Sequence, residues 1–588
     1  MSDYQFINPY NFIPLASQCV RTKSKDEKKY TGYIECSLET LTPMIMIDTE
    51  DCKEDLSVPG HKIYPTTYSL NGHPAIPASE LRGMIRSKFE TLTNSCLSSA
   101  EPELPFYGRY NGDMSNPGIL DFSDPQNVML YECKKYRIDN KGSVKHLKTG
   151  DIIKFDIFPK IEIKRGKKVK EMKARVHRNG KESGFLKIGE ELSDNKNECH
   201  VFIKTGNSIN AVNIDDFKES YNALCEVFMN NKGRTHSSET EVLLKPIWYE
   251  EINGYVYFSL GQNGQTKYRR RYKDLLDDSH LPCNEKDNLC EACQVFGTIQ
   301  NDLKVASKVR FEDALLVNNN KDIYVGKDVI VIEELSSPKY NNPVFYLLQI
   351  INGEVIEDSP LWNVDFSKKF KKKAVPLKYG QVQTRGRKEY WHHKPLLKKV
   401  NKTIRNMSAR PVKEGIQYKF KVYFNDLTEL QLEYLNMAIS LGNNSDYAHK
   451  LGAGKPLGYG SVKIKIEKII YKDVNCTDGE IEYVLKEYQP KCTTIENTFK
   501  TLDSFQLPSI QNMYSFSFLQ KNYPRIKVDY PRNETNGDIF EWFSENKRNK
   551  IKSILPFAEE EYDHALIQKG YKKRENNNAT KNKHQYNK

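Results

Sequence analysis

Apolar residues occupy every second position in two stretches, one in the first third of the chain and one in the last third. They span residues 32–40 and 415–424. Strict alternation predicts strands with one buried face. The predicted inward positions are Ile34, Cys36, Leu38, Tyr418, Phe420, Val422 and Phe424. A third alternating stretch, 461–469, follows a glycine-rich turn and predicts a further strand.

Helical spacing appears in two other segments. In residues 73–92 the apolar side chains recur every three or four positions, and Pro77 marks the start. Thr428 and Gln431 have the spacing of a capping box, which predicts a helix from there to Leu441. Strands and helices therefore alternate in both regions, which is typical of an α+β protein.

The middle of the chain predicts more strands. Residues 184–204 and 254–260 contain short apolar runs of strand length. Residues 160–175 form a strongly basic stretch, for which we predict a projecting hairpin that turns at Arg165 and Gly166. A solvent-exposed insertion without a binding role is the alternative.

Composition narrows the class of protein. With 588 residues the chain is long enough for three or four domain-sized units. No apolar run reaches the length of a membrane span, and the N-terminus lacks a secretory pattern, so we expect a cytoplasmic protein with reduced cysteines and no membrane partner. The net charge of +12 favours a polyanionic partner.

The sequence HKLGAGKPLGYGSVKIKI, residues 449–466, combines glycines with lysines directly before a strand. Glycine lets backbone amides approach a ligand, and lysine attracts phosphate. Because Lys455 is followed by Pro456 and a strand, the segment does not match a nucleotide-binding P-loop. A tight structural turn is the alternative. The candidate phosphate-binding residues are Lys450, Gly452, Gly454, Lys455, Gly458 and Gly460.

Metal-ligand spacing occurs once, in His280, Cys283, Cys290 and Cys293. A Cys-x-x-Cys pair places two thiolates on one side of a zinc ion, and histidine supplies a nitrogen donor. The pattern predicts a structural zinc site, with unligated cysteines as the alternative.

Two clusters interleave cations with aromatic residues. Residues 267–273 include Arg269 and Arg270, and residues 385–393 include Arg385, Arg387 and Lys388. Such a composition can hold phosphates and stack bases, so we predict RNA contact. A solvated helix face and a basic loop, respectively, are the alternatives.

Several of these segments together resemble the RAMP superfamily of CRISPR-associated proteins. The resemblance rests on GAGKPLGYGS, on IPASELRGMIRSKFE and on CEACQVFG followed by ASKVRFEDA. It implies an α+β fold of two ferredoxin-like (RRM-type) modules with insertions and a zinc-knuckle-like segment. The resemblance fades after about residue 470, and amphipathic stretches such as residues 539–555 predict a small C-terminal helical appendage. The resemblance also adds Ser79, Arg82 and Arg86, on the first helix, as RNA contacts.

The expected organisation has four parts. They are an N-terminal module (1–242), a C-terminal module with the zinc site (243–475), a helical appendage (476–573) and a disordered basic tail (574–588).

The resemblance implies an RNA-binding subunit of a type III effector, with guide RNA, single-stranded target RNA and other effector subunits as partners. The hairpin 160–175 is then the candidate for the thumb that wedges between nucleotides. One alternative is a metal-dependent endoribonuclease in which Asp48, Asp51 or Asp55 holds Mg²⁺ or His61 acts as general base. A zinc-stabilised single-strand binder outside CRISPR is a third possibility.

Overall fold

The computed structural model describes residues 5–569 except 23–27, 110–113, 125–127, 165–166, 189–198, 210–219, 226–242, 253, 263, 301, 318–321, 336–341, 343–344, 352–353, 356–362, 371–372, 396–398, 478–479, 533–538, 548–553, 560–565 and 567. The chain forms two compact units. Unit 1 contains Met1–Pro102, Lys273–Pro360 and Val382–Lys588, and unit 2 contains Glu103–Tyr272 and Leu361–Gln381. The predicted boundary at residue 242 and the predicted tail lie outside the described residues, so the predicted division stays a prediction.

Unit 1 is rich in strands. They are Gln5–Ile7, Tyr10–Ile13, Lys29–Thr40, Lys53–Glu54, Lys62–Tyr64, Ser69–Leu70, His73–Ile76, Thr298–Gln300, Leu303–Val305, Val309–Phe311, Ala314–Leu316, Ile330–Ile332, Leu347–Ile351, Glu354–Val355, Val382–Thr384, Arg387–Tyr390, Met407–Ala409, Gln417–Thr428, His449–Lys450, Ser461–Thr477, Glu480–Glu487, Lys527–Val528 and Gln568–Lys569. Its α-helices are Ala78–Leu92, Glu291–Phe296, Glu429–Ser440, Ile495–Thr498, Gln506–Tyr514, Phe518–Asn522 and Ile539–Lys547.

The largest sheet of unit 1, hereafter the central sheet, brings together strands from distant parts of the sequence. Strand Lys29–Thr40 lies between Ser461–Thr477 and Gln417–Thr428, and Ala314–Leu316 follows next to Gln417–Thr428. All of these pairs are antiparallel. With the two long helices between them, these strands have the chain order β-α-β-β-α-β and the spatial order 4-1-3-2 of a ferredoxin-like module.

This arrangement refines the expectation of two modules. The N-terminal strand and helix and the strand-helix-strand of residues 417–477 were assigned to separate modules, but they share one sheet. The two halves pair because their alternating apolar faces together cover one helical layer. A second ferredoxin-like module stays a prediction.

The inward face of the central sheet is the core of unit 1. All seven predicted inward positions are buried, and they pack with the apolar sides of helices Ala78–Leu92 and Glu429–Ser440. Each large side chain buried in this way contributes about 1.5 to 3 kcal/mol. The predicted capping box is confirmed, because the Thr428 side chain accepts from the Gln431 amide. At the start of helix Ala78–Leu92, the Asp313 carboxylate accepts from the Ala78 amide at 2.7 Å. Its negative charge interacts favourably with the positive end of the helix dipole.

Unit 2 contains the strands Pro105–Arg109, Asn116–Asp121, Met129–Ile138, Ile152–Lys164, Lys167–Val176, Glu182–Ile188, Cys199–Ile209, Leu244–Ile252, Tyr255–Ser259, Gln265–Arg271, Phe366–Phe370 and Lys373–Pro376. Eight of them form one sheet, and an additional parallel pairing joins Met129–Ile138 to Lys167–Val176. Five strands therefore close around an apolar core that includes Phe155, Leu186 and Val201.

The predicted basic hairpin is present in unit 2. Strands Ile152–Lys164 and Lys167–Val176 pair from Phe155 opposite Val176 to Lys164 opposite Lys167. Its turn, residues 165–166, lies outside the described residues. Towards that end the side chains of Ile161 and Ile163 are 67% and 74% exposed, whereas Phe155, at the other end, is buried.

Within the described parts of the chain, no helix combines the length and the apolar composition that a bilayer crossing requires.

Candidate metal centre and nucleic-acid interface

Four buried cysteines of unit 1 converge at one point. The sulfur atoms of Cys96, Cys283, Cys290 and Cys293 all lie within 4.8 Å of one another. From Cys96 Sγ the distances are 3.6 Å to Cys290 and Cys293 and 3.8 Å to Cys283. Cys96 follows the helix Ala78–Leu92. Cys283 and Cys290 precede the helix Glu291–Phe296, and Cys293 lies in its first turn.

These distances fit a metal. Four sulfur atoms about 2.3 Å from a central zinc ion stand about 3.8 Å apart at the corners of a tetrahedron. Arg21 Nη1 lies 3.1 Å from Cys283 Sγ, and the Cys290 amide donates to the same sulfur at 3.3 Å. Both donors favour thiolate over thiol, so the surroundings suit a site in which sulfurs carry negative charge.

Sequence reasoning found three of these four ligands. The structure brings Cys96, rather than His280, to Cys283, Cys290 and Cys293. His280 is close to these cysteines in sequence but does not belong to the group. Its ring is buried, and its Nδ1 lies 3.4 Å from Ser279 Oγ. Cys96 has no metal motif around it, and its only signal is a cysteine shortly after the end of a predicted helix.

The loop that carries Cys96 is held by two of the predicted RNA contacts. Arg86 bonds to Glu90 at 2.9 Å and to Ser98 Oγ at 2.8 Å. Arg387 reaches the same Glu90 at 3.3 Å and donates to the Cys96 carbonyl at 3.2 Å. Both arginines are therefore engaged inside unit 1, where they hold the loop that carries Cys96.

The glycine-rich turn is built from crowded backbone in a left-handed conformation. Gly452, Gly454, Gly458 and Gly460 all have positive φ angles, which glycine adopts readily. An added Cβ at Gly460 would lie 1.8 Å from the Leu451 carbonyl oxygen, and one at Gly458 would meet backbone atoms of His393 and Lys394. The glycines therefore allow close packing at this turn, and their contact with RNA stays a prediction.

The lysines of this turn bond to its own backbone. Lys450 Nζ donates to the Tyr459 carbonyl at 3.1 Å, and Lys455 Nζ donates to the Gly452 carbonyl at 2.8 Å. Burial and the nearby Lys455 charge lower the pKa of Lys450 to about 7. Lys450 is buried, while Lys455 is half-buried. Of the two, Lys455 is the one within reach of a ligand.

The first helix places its predicted RNA contacts differently. Ser79 is exposed. Arg82 is half-buried, donates to the Phe296 carbonyl at 2.5 Å, and lies 5.8 Å from that residue's ring centre. Burial lowers the pKa of Arg82, and the charge of the neighbouring Arg86 lowers it further.

The residues of the basic and aromatic cluster 385–393 are buried or half-buried in unit 1. Lys388 Nζ is 4.0 Å from the centre of the Tyr10 ring and donates to the Tyr346 hydroxyl at 2.9 Å. Burial lowers the pKa of Lys388 to about 8. Arg385 is buried, with its guanidinium 5.0 Å from the Phe557 ring centre. Lys388 and Arg385, which suggested RNA contact, therefore lie against aromatic rings of the same chain.

In unit 2 the two predicted arginines separate. Arg270 is buried and pairs with Asp365 at 3.2 Å. Arg269 is exposed, with its guanidinium 5.8 Å from the Tyr255 ring centre and 5.4 Å from that of Tyr379.

No three of the predicted catalytic residues lie within metal-binding distance of one another. Among the described residues, the four cysteines are the one group of three or more ligands at such a distance. Asp48 accepts from the Glu50 amide, and Asp51 accepts from Thr66 Oγ1. Neither aspartate belongs to a group of three or more ligands in the described part of the chain.

The other two candidates are enclosed. Asp55 is buried and accepts from Lys402 Nζ at 2.5 Å, which lowers the pKa of its carboxyl group. His61 is fully buried, with Nδ1 2.9 Å from the Thr403 carbonyl and Nε2 2.8 Å from Ser408 Oγ. Both of its nitrogens are engaged, so the ring is not placed to accept a proton from a ribose hydroxyl.

The outward face of the central sheet combines rings with cations, a feature that the sequence analysis did not single out. Tyr33 and Tyr423 are cross-strand neighbours with ring centres 6.2 Å apart. Lys421 Nζ lies 4.7 Å from the Tyr33 ring centre, and the Arg310 guanidinium lies 5.0 Å from that of Tyr423. The signal was available, because residues that alternate with the buried positions must face outward.

More lysines lie along the same face of the sheet. Lys419, Lys465 and Lys468 are exposed, and Lys421 is half-buried. Glu35 bonds to Lys421 at 3.0 Å and to Lys468 at 3.2 Å, so part of the positive charge is neutralised. Aromatic residues on the two middle strands of such a sheet are the stacking platform of RRM domains.

Comparison with known proteins gives a family. A sequence model described as the RAMP superfamily matches residues 37–273 and 248–463. No curated protein matches the chain. Among solved structures, the chain aligns with the cryo-EM structure of the type III-B Cmr-beta bound to cognate target RNA. That alignment has 9% identity and a TM-score of 0.17, and it covers 75% of this chain and 98% of the other.

The structural alignment, at that TM-score, carries no argument about this fold. The two family matches together span most of the chain, and they include the helix Ala78–Leu92, the cysteine segment and the start of strand Ser461–Thr477. The chain belongs to the RAMP superfamily of CRISPR-associated proteins.

Proposed function

We propose that this protein is an RNA-binding subunit of a type III CRISPR effector that holds guide RNA and target RNA. The observation that carries the proposal is the outward face of the central sheet, where Tyr33 and Tyr423 stand side by side among lysines. Aromatic rings stack on unpaired bases, and lysines meet phosphates. Family membership supports RNA as the partner.

Exposure sorts the earlier candidates for RNA contact. Ser79 and Arg269 are exposed, and Arg82, Arg86, Arg387 and Lys455 are half-buried. Lys388 is half-buried too, but it is enclosed by the rings of Tyr10 and Tyr346. Lys450, Arg270 and Arg385 are buried. We assign phosphate contact to Ser79, Arg269 and Lys455. The Lys455 ammonium group donates to the Gly452 carbonyl, and it can donate to a phosphate oxygen instead.

The four cysteines complete the proposal with a structural zinc ion. All four ligand positions of a tetrahedral ion are filled by protein, so the site holds no coordination position for a substrate. Its role is to fasten the loop after the first helix to the segment before strand Val309–Phe311.

The basic hairpin is proposed as the part that wedges between nucleotides. Its exposed Ile161 and Ile163 alternate with polar neighbours, and Lys168 and Lys170 lie opposite them in the register. Apolar side chains flanked by cations suit insertion between bases beside a phosphate chain. No comparable arrangement among the described residues favours the endoribonuclease alternative, because Asp55 and His61 are enclosed.

Charge reversal on the sheet face tests the proposal. The double variant Lys419→Glu, Lys465→Glu is expected to bind single-stranded RNA about tenfold or more weakly than the wild type. The slope of log affinity against log salt should fall by about 0.7 for each phosphate that the variant no longer binds. Fluorescence anisotropy over a salt series measures both quantities.

The matched control is Lys500→Glu, Lys521→Glu, which changes the net charge equally at two other exposed positions. Equal reductions of affinity in both double variants would contradict a binding face on the sheet. Sequencing the RNA that co-purifies with the protein tests the type III assignment: repeat-derived ends support it, and random cellular fragments oppose it.

A further inference from the structure

Unit 2 contains a small cleft beside the basic strand Gln265–Arg271. Its lining comes from that strand, from strands Leu244–Ile252 and Tyr255–Ser259, and from described residues between positions 365 and 379. The lining residues are Ile252, Tyr255, Tyr257, Arg269, Arg270, Asp365, Pro376, Leu377 and Tyr379. It lies apart from the central sheet in sequence and belongs to a different compact unit.

The base of the cleft is a buried ion pair. Asp365, 2% exposed, accepts from the amides of Arg269 and Arg270 and from the Tyr257 hydroxyl at 3.1 Å. The Arg270 guanidinium pairs with the same carboxylate and donates to the carbonyls of Val364, Leu377 and Lys378. This buried network fixes residues 364–365 and 377–378 against the strand, so this part of the cleft is preformed.

The rim of the cleft has a different character. Tyr379 is 60% exposed, and the Arg269 guanidinium lies 5.4 Å from its ring centre. Among the described residues of the lining, Asp365 is the one carboxylate, and it is already engaged with Arg270. This described lining therefore presents an aromatic face beside the Arg269 guanidinium, which has no other carboxylate next to it in the lining.

We infer that this cleft is a nucleotide-binding site for single-stranded RNA, with a base stacked on Tyr379 and its phosphate on Arg269. The inference rests on the proposed function, since it names a second RNA contact on a protein that binds RNA. Tyrosine and arginine are also frequent at protein interfaces. The unneutralised cation beside an exposed ring favours a ligand that is both planar and anionic, as a nucleotide is.

The experiment compares two ligands and three proteins. The ligands are a short labelled single-stranded RNA and the same RNA with abasic positions, and the proteins are wild type, Tyr379→Ala and Tyr379→Phe. Removal of one stacked base weakens binding about tenfold. We expect that reduction for Tyr379→Ala on the intact RNA. On the abasic RNA the wild type should lose at least as much, because stacking on Tyr33 and Tyr423 is lost as well, and Tyr379→Ala should then bind the abasic RNA as wild type does. Tyr379→Phe keeps the ring and should bind as wild type does.

Other results overturn the inference. If Tyr379→Ala binds intact RNA as tightly as wild type, or if the two reductions simply add, the base is not stacked on Tyr379. Weaker capture of a sibling subunit by Tyr379→Ala, with unchanged RNA affinity, would assign the cleft to a protein partner. Failure of the proposed function looks different, because wild-type protein would then not bind the intact RNA at all.

Discussion

The variant Cys96→Ser should lose its bound zinc and unfold about 5 to 10 °C below the wild type. Removal of one thiolate leaves three ligands and a weaker oxygen donor at the corner from which the other sulfurs are 3.6 to 3.8 Å away. Zinc bound only by the folded state contributes its binding free energy to folding, and a loss of about 6 to 12 kcal/mol lowers the melting temperature of a chain of this length by this amount. Metal analysis of the purified protein and thermal unfolding measure the two effects.

Two control variants separate ligation from general damage. Cys492→Ser removes a cysteine outside the cluster, and His280→Ala removes the histidine that the sequence motif had favoured. Both should keep one zinc per chain. Zinc retained by Cys96→Ser but absent from His280→Ala would reverse the ligand assignment in favour of the motif.

How much of the fold can be predicted from the sequence depends on how far apart along the chain the residues are that determine each feature. Alternation in residues 32–40 and 415–424 reports a local property, which is the burial of every second side chain, and the structure confirms it. The joining of these strands in one sheet depends on contacts between residues about 380 to 400 positions apart, which no local pattern encodes. Cys96 was missed for the same reason, since its partners lie far away in sequence.

The basic clusters show a different limit. A lysine among tyrosines has the composition of an RNA-stacking site, but Lys388 satisfies the same chemistry with Tyr10 and Tyr346 of its own chain. Cation–ring attraction is equally available to a ligand and to a neighbouring strand. Composition therefore identified the interaction correctly and could not identify the partner. Burial decides between them, and burial depends on the complete fold.

The glycines of the turn at residues 449–466 have the composition of a ligand-binding loop, but they also pack closely against their own chain. The substitution Gly460→Ala tests the importance of this packing. We expect this substitution to reduce the free energy of unfolding by about 3 kcal/mol or more. An alanine at φ +73° costs about 1 kcal/mol by itself, and its Cβ would also lie 1.8 Å from the Leu451 carbonyl oxygen. The backbone cannot move aside easily, because the Gly460 amide bonds to the Pro43 carbonyl and its carbonyl accepts from the Leu451 amide.

Gly72→Ala is the matched control for this effect. Gly72 has a similar φ of +80°, but an added Cβ would meet nothing within 4 Å. Its substitution should therefore cost only the backbone term of about 1 kcal/mol. Chemical denaturation of both variants gives the difference between the two reductions of free energy. A difference near zero would mean that the turn yields to the added methyl group, and the crowding of this backbone would then not explain why glycine occupies position 460.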